Sequence, residues 1–409
     1  MKARIYMATF FLMMIYLAFI SLGLPDSLLG SAWPIMHESL AVPLGSAGLI
    51  SMITAGGTIV SSLLSGKVIR RFGTGKVTFI SVFLTSMALF GFSLSPNIYF
   101  LMIMAIPLGL GAGSIDSALN NFVALHYKAR HMSWLHSFWG VGATLGPIIM
   151  SSFLIKGESW RNGYRTVALI QFILFLVLFA TLPLWKKYDT PEEGKGAQRD
   201  KDEIERFENP YKIPGVKYAL FTFFAYCAIE STTGLWGSTY LVESRGIAPE
   251  IAARFISLYY GGITVGRFIT GFITMKFPTR TILRAGILII LSGVLCIALP
   301  LPGFMAILGL VLIGLGCAPV FPGMIHETPT RFGAANSQSV IGIQMAFAYV
   351  GSTFMPAFFG LLGGEGNIFI FPYYLLILVS VLLFGTERIN SMMKARHRLK
   401  ILSAKEDVI

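Results

Sequence analysis

Apolar runs of about 20 residues, each long enough to cross the ~30 Å hydrocarbon core of a bilayer, recur from one end of this chain to the other. Only 13% of its residues are charged and 55% are hydrophobic, against about 25% charged in soluble domains, so the chain is read as an integral membrane protein. Helices are expected at about 5–37, 44–67, 76–94, 98–125, 131–155 and 164–185, then at about 216–241, 249–275, 280–299, 303–326, 337–362 and 367–386. The fold expected is therefore all-α, with twelve transmembrane helices. Lys2, Arg4 and the run Ile5–Leu24 have the look of a signal peptide, but a clear small-residue cleavage site is lacking and many spans follow, so this run is read as an uncleaved first helix.

The basic residues set the orientation. Cytoplasmic loops carry the Lys/Arg excess. With the N-terminus inside, the cytoplasmic side receives Lys67, Arg70, Arg71, Lys76, Lys128, Arg130, Lys276, Arg280, Arg284, Arg331, the central linker and a tail containing Arg388, Lys394, Arg396, Arg398 and Lys400. The outer side receives only Lys156, Arg161, Arg165, Arg245 and Arg254. Both termini are thus expected in the cytoplasm, and the net charge of +12 needs no nucleic-acid partner. Cys227, Cys296 and Cys317 lie inside apolar runs without metal-ligand spacing; they read as buried small hydrophobes, and no metal site is expected.

The chain also repeats itself. Gly66-Lys-Val-Ile-Arg-Arg-Phe aligns with Gly271-Phe-Ile-Thr-Met-Lys-Phe, and Gly109-Leu-Gly with Gly314-Leu-Gly, both 205 residues apart. Gly142-Ala-Thr-Leu-Gly-Pro147 echoes Gly351-Ser-Thr-Phe-Met-Pro356 at a spacing of 209. The expected organisation is a six-helix bundle at 1–185, a cytoplasmic linker at 186–215, a second bundle at 216–388 and a basic tail at 389–409. Parallel repeats of this kind bind a solute near the midplane and rock around it.

Polar residues inside the spans mark candidate sites, because charge at bilayer depth costs at least ~2.5–3.5 kcal/mol. In Gly109–Asn121 helical pitch sets Gly109, Gly113, Asp116 or Ser117, and Asn120 along one stripe. The stripe fits either the lining of a polar cavity or close helix packing through the two glycines. Glu230 interrupts another run, with Tyr226, Thr233 or Gly234, and Gly237 on its face and Trp236 and Tyr240 nearby.

The layout resembles the major facilitator superfamily over essentially the whole chain. Its loop signature after span two reads Gly66-Lys-Val-Ile-Arg70-Arg71-Phe-Gly73-Thr-Gly-Lys76, with Arg70 where the family usually has aspartate. Within the superfamily, Asp116-Ser-Ala-Leu-Asn120 is similar to the span-four pattern of the fucose permease group of sugar/proton symporters, with aspartate for glutamate. The segment Leu135-His136-Ser137-Phe138-Trp139-Gly140 resembles that group's span five, where glutamine and asparagine stand at His136 and Trp139. The group's span-one acid, four residues before a proline, is Gly30 here; Asp26, one turn earlier, either takes over its role or serves the helix break beside Pro25.

The resemblance implies secondary active transport of a sugar or sugar-like solute, with proton-coupled import by alternating access through a cell inner membrane. Asp116, Glu230 and Asp26 are the candidate proton-coupling acids, since a carboxyl losing hydration in a low-dielectric cavity can take up and release a proton as access alternates. Asn120, His136, Trp139, Tyr226, Trp236 and Gln344 are the candidate substrate contacts: amides bond hydroxyls, and aromatic faces, with Tyr259, Tyr260 and Tyr349 also available, cover sugar C–H groups. For Glu230 the competing reading is pairing with a buried cation or with backbone that only holds the helices; Arg267 is read as structural pairing near the membrane surface, with a substrate anion as the alternative. A proton-coupled drug exporter is the alternative transporter; a membrane-embedded enzyme or receptor is a further one. A phosphate-binding GxxxxGK[ST] motif does not occur, no cofactor or enzymatic chemistry is expected, and the partners expected are the solute, the proton and lipid around a monomer.

Overall fold

The computed structural model describes residues 2–126, 129–185, 210–364 and 366–406. Among these residues fourteen α-helices form: α1 (Lys2–Asp26), α2 (Leu28–Ser39), α3 (Ser46–Phe72), α4 (Thr74–Leu94), α5 (Ile98–His126), α6 (Ala129–Leu154) and α7 (Trp160–Trp185) precede α8 (Val216–Arg245), α9 (Pro249–Ile273), α10 (Thr279–Ala298), α11 (Gly303–Cys317), α12 (Val320–Phe332), α13 (Ala334–Leu362) and α14 (Phe371–Glu406). No strand occurs among the described residues. Of the expected linker Lys186–Gly215 only the part from Pro210 is described, and Lys128 and the side chains of Arg70, Arg130, Arg396, Arg398 and Lys400 also lie outside the described residues.

Among the described residues ten stretches are long and apolar enough to cross a membrane, with α1–α2 and α11–α12 each counted as one. α8 and α9 are long enough at 30 and 25 residues but are not among the ten. Glu230, Glu243 and Arg245 interrupt the one, and Glu250, Arg254 and Arg267 the other.

Two expected spans are broken. α1 ends at Asp26 beside Pro25, which has no N–H to give the Ser21 carbonyl one turn back. Gln171 on α7 supplies the missing donor, its Nε2 reaching Ser21 O at 2.8 Å, while its Oε1 accepts from Thr85 on α4. One buried amide therefore ties three helices together where a proline has opened the backbone. The second break, between α11 and α12, falls at Ala318–Pro319. α14 runs on to Glu406, so the described start of the expected tail continues the last helix.

Two compact units divide the described helices. The first comprises residues 1–198, 232–264 and 356–371; the second comprises 199–231, 265–355 and 372–409. α8, α9 and α13 contribute to both.

Within each unit the internal repeat is visible as packing. A Cβ on Gly111 of α5 would meet Ser81 O and Thr85 of α4; a Cβ on Gly316 of α11 would meet Gly286 O and Ile290 of α10. Each partner in the second pair lies 205 residues beyond its counterpart in the first. Likewise Gly113 is pressed on Ser61 in the first unit and Gly266 on Ala318 in the second, the same two positions with the glycine exchanged. Gly142 of α6 meets the Ile20 carbonyl of α1, and Gly351 of α13 meets the Phe224 carbonyl of α8.

The first unit also joins the two halves of the sequence. Near the α2 N-terminus Gly30 lies against the Gly234 and Leu235 backbone; beyond the α2 C-terminus Gly45 lies against Gly360 and Gly48 against Ala357, while Ser151 Oγ donates to Glu250 O at 2.7 Å.

Gly142→Ala should force α1 and α6 apart and cost about 1–3 kcal/mol, the usual overpacking penalty. Gly56, with nothing within 4 Å of an added Cβ, is the control: Gly56→Ala should match or slightly exceed the parent in thermal unfolding in detergent.

Candidate functional site

The close approach of α1 and α6 builds the first half of the site. Gly23 lies directly against the Trp139 backbone and Gly146 against Leu24 O and Ser27. With the backbones this near, Trp139 Nε1 donates to Asp26 Oδ2 at 2.8 Å. Asp26 sits midway along the span Phe10–Ser39, among neighbours that are buried, yet it is itself exposed. A carboxylate at that depth is costly unless it has partners, and here the indole supplies one. The Trp139 ring meets Tyr260 of α9 edge-on with centroids 6.5 Å apart.

Asp116 stands close enough to Asp26 for their charges to interact, and Asn120 Nδ2 donates to Asp116 Oδ1 at 2.9 Å. The other amide atom, Asn120 Oδ1, is buried with no hydrogen-bond partner. The close-packing reading of the Gly109–Asn121 stripe describes its glycines. Gly109 and Gly113 are pressed against α3, whose Thr58 Oγ1 donates to Gly109 O at 3.2 Å, and the polar pair follows one turn later.

A second cluster lies in the other unit. Glu230 Oε1 faces Arg267 Nη2 at 3.5 Å, their side chains 18% and 15% exposed. Arg267, read from sequence as a structural cation near the surface, thereby has its partner inside the helices. Tyr226 is fully buried beside this pair, its hydroxyl without a hydrogen-bond partner, and Phe321 packs 6.3 Å from its ring. Phe321 is the repeat counterpart of Asp116, so an aromatic ring stands in the second unit where the first has a carboxyl.

The remaining candidates make the following contacts. Trp236 is fully buried; its Nε1 donates to Pro356 O at 2.9 Å and its ring packs on Phe359. Gln344 is buried and accepts from Thr328 Oγ1 at 3.0 Å. His136 is half-buried and meets the Phe19 ring edge-on. Tyr259 is fully buried and packs on Tyr260 at 5.0 Å. The structure thus brings Asp26, Trp139, Asp116 and Asn120 together with Tyr260, and groups Tyr226 and Glu230 with Arg267. Neither the Asp26–Trp139 bond nor the Glu230–Arg267 pair was readable, because their partners are 113 and 37 positions apart and no local spacing joins them.

The profile of the Major Facilitator Superfamily matches residues 15–356 and, in a second alignment, 218–401. The chain belongs to the major facilitator superfamily. It is a multi-pass membrane transporter, not an enzyme. Its relatives include the glucose/mannose transporter GlcP of Bacillus subtilis (strain 168), 23% identical over 314 residues that cover 75% of this chain and 77% of the relative. The glucose/galactose transporter of Brucella abortus is 25% identical over 336 residues, covering 77% and 78%. Among solved structures, the nucleoside transporter NupG superposes with a TM-score of 0.69 at 15% identity, over 93% of this chain and 98% of that one, which establishes the shared fold.

Glu230→Gln or Arg267→Gln alone strands one charge. Each should destabilise by about 2 kcal/mol, less than the 3–5 kcal/mol of a fully buried pair because both side chains keep some accessible surface. The double variant should recover part of the loss, giving a non-zero coupling in a thermal double-mutant cycle.

Proposed function

We propose that this transporter imports a sugar or sugar-like solute together with a proton by alternating access. The observation that carries the reading is the exposed mid-span Asp26 held by the Trp139 indole, with Asp116–Asn120 beside it and Tyr260 against the indole. Aromatic rings next to carboxyl and amide groups suit a ligand with C–H faces and hydroxyls, and the unpartnered Asn120 Oδ1 is a ready acceptor for one hydroxyl. The sugar-transporting relatives support the same class.

Asp26 and Asp116 bond to neutral groups, an indole and an amide, so either can accept a proton without stranding a buried cation. Protonating Glu230 would strand Arg267, so Glu230 is assigned to holding α8 on α9 and the coupling role to the two aspartates. Counting α8 and α9 as spans yields twelve, in bundles at 1–185 and 216–388 joined by the linker 186–215, with both termini and the tail 389–409 cytoplasmic and the monomer as the working unit in the inner membrane. In that orientation the contacts at Gly45 and Gly48 lie at the outer end, and the cycle has to part them.

In proteoliposomes, Asp116→Asn and Asp26→Asn should each lose uphill uptake driven by a pH gradient by at least about tenfold, ~1.4 kcal/mol of coupling, while keeping solute counterflow. Full uphill uptake in both variants would rule out coupling through these acids. Thermal stabilisation of the purified protein by lipophilic cations and not by sugars would favour the drug exporter instead.

A further inference from the structure

We propose that His37, Glu38 and Glu243 form a binding site for a divalent transition-metal ion, with Zn²⁺ the best fit, that fastens α2 to α8. One ligand atom from each of the three residues lies within 4.8 Å of the other two. His37 Nε2 is shut off from solvent and has no hydrogen-bond partner. The carboxylate oxygen facing it, Glu243 Oε1, is 3.9 Å away, too far for a hydrogen bond. It is nevertheless a separation that two ligands can span when each stands about 2.0–2.2 Å from a shared ion. A buried ring nitrogen aimed at a carboxylate across that gap, with a second carboxylate beside it, is an incomplete polar cluster that one cation would complete.

The ligands are held by contacts that need no ion, so little has to be ordered on binding. His37 packs against Trp33, whose Nε1 donates to Leu44 O at 2.7 Å. Two residues on, Ser39 Oγ accepts from Trp160 Nε1 at 2.8 Å and donates to Met36 O at 3.0 Å. On the facing side, the contact of Gly30 with the Gly234 and Leu235 backbone pins α2 to α8 below the cluster.

The donor set selects the ion. An imidazole nitrogen with two carboxylates suits a borderline first-row cation, which would keep a water at its open position. Ca²⁺ and Mg²⁺ prefer all-oxygen cages. Glu38 and Glu243 are exposed, so an ion has a route in. Because α2 belongs to the first half of the sequence and α8 to the second, the bound ion would tie the halves at this end. The site is separate from the Asp26–Asp116 cluster and does not depend on the identity of the solute.

The test is calorimetric titration of Zn²⁺ into the purified, metal-stripped full-length protein, paired with thermal unfolding with and without Zn²⁺. The expected result is saturable binding near one equivalent and a rise in melting temperature. His37→Gln and Glu243→Gln should each weaken binding at least tenfold and abolish the rise, while melting like the parent in chelator. Glu38→Gln, at an exposed position, gives a third variant that leaves packing untouched and should weaken binding in the same direction. The proposal is overturned if Zn²⁺ binding is absent, if it persists unchanged in all three variants, or if Ca²⁺ binds as tightly, which would mark a nonspecific acidic surface.

Discussion

The arrangement depends on how closely α1 can lie on α6. Lipid chains are as apolar as the side chains that face them, so helices associate in a membrane through van der Waals contact and hydrogen bonds rather than by escaping water. Gly23, Gly142 and Gly146 remove the side chains that would hold these two helices apart. Their backbones then meet, and the indole of Trp139 comes within hydrogen-bond reach of Asp26. Pro25 ends α1 at that level, and Gln171 repairs the broken ladder from a third helix. The carboxyl is thus displayed at a helix end, where its backbone is least constrained by regular hydrogen bonding, yet its direction is set by a rigid ring.

The two units treat intramembrane carboxyls in opposite ways. In the first, Asp26 and Asp116 stand near each other and bond to neutral donors. In the second, Glu230 meets a guanidinium, which neutralises Arg267 at a depth where an isolated charge is costly. The repeat makes the contrast sharper: Asp116 and Phe321 occupy equivalent places, so the duplication kept the glycine packing of α5 and α11–α12 and changed the chemistry above it. A transporter whose halves carry unlike groups on a shared scaffold can bind a solute asymmetrically while still moving as two similar bodies.

Much of the scaffold was legible because its signals are local or periodic. Helix-length apolar runs placed most helix ends to within a few residues, apart from the two breaks and the far end of α14, and the glycines of Gly109-Leu-Gly and Gly314-Leu-Gly fixed a repeat spacing that the packing of Gly111 and Gly316 reproduces. A break beside Pro25 was open as one reading of Asp26, and the structure has it at Ser27; the break at Ala318 was not legible. Pro25 and Pro319 stand in plain view, but Pro107, Pro147, Pro183 and Pro356 lie inside unbroken helices, so proline alone does not say which span will open. The outcome turns on whether neighbouring helices satisfy the freed carbonyl, and that is tertiary information. The approach of His37 to Glu243 was illegible for a similar reason, since 206 positions separate them and neither sits in a motif.

The sequence by itself determined that this chain lives in a membrane, that it is built from two related halves, and which polar residues are buried at a cost that demands a reason. Those conclusions follow from the free energy of placing apolar and charged groups in lipid, which depends on composition and order alone. Only the tertiary structure decided the partners: Asp26 with Trp139, Asp116 with Asn120, Glu230 with Arg267, and Trp236 in the packing against Pro356 and Phe359. A hydrogen bond or ion pair needs its atoms within a few ångströms of each other, and which helices come that close is settled by where glycines let the backbones touch.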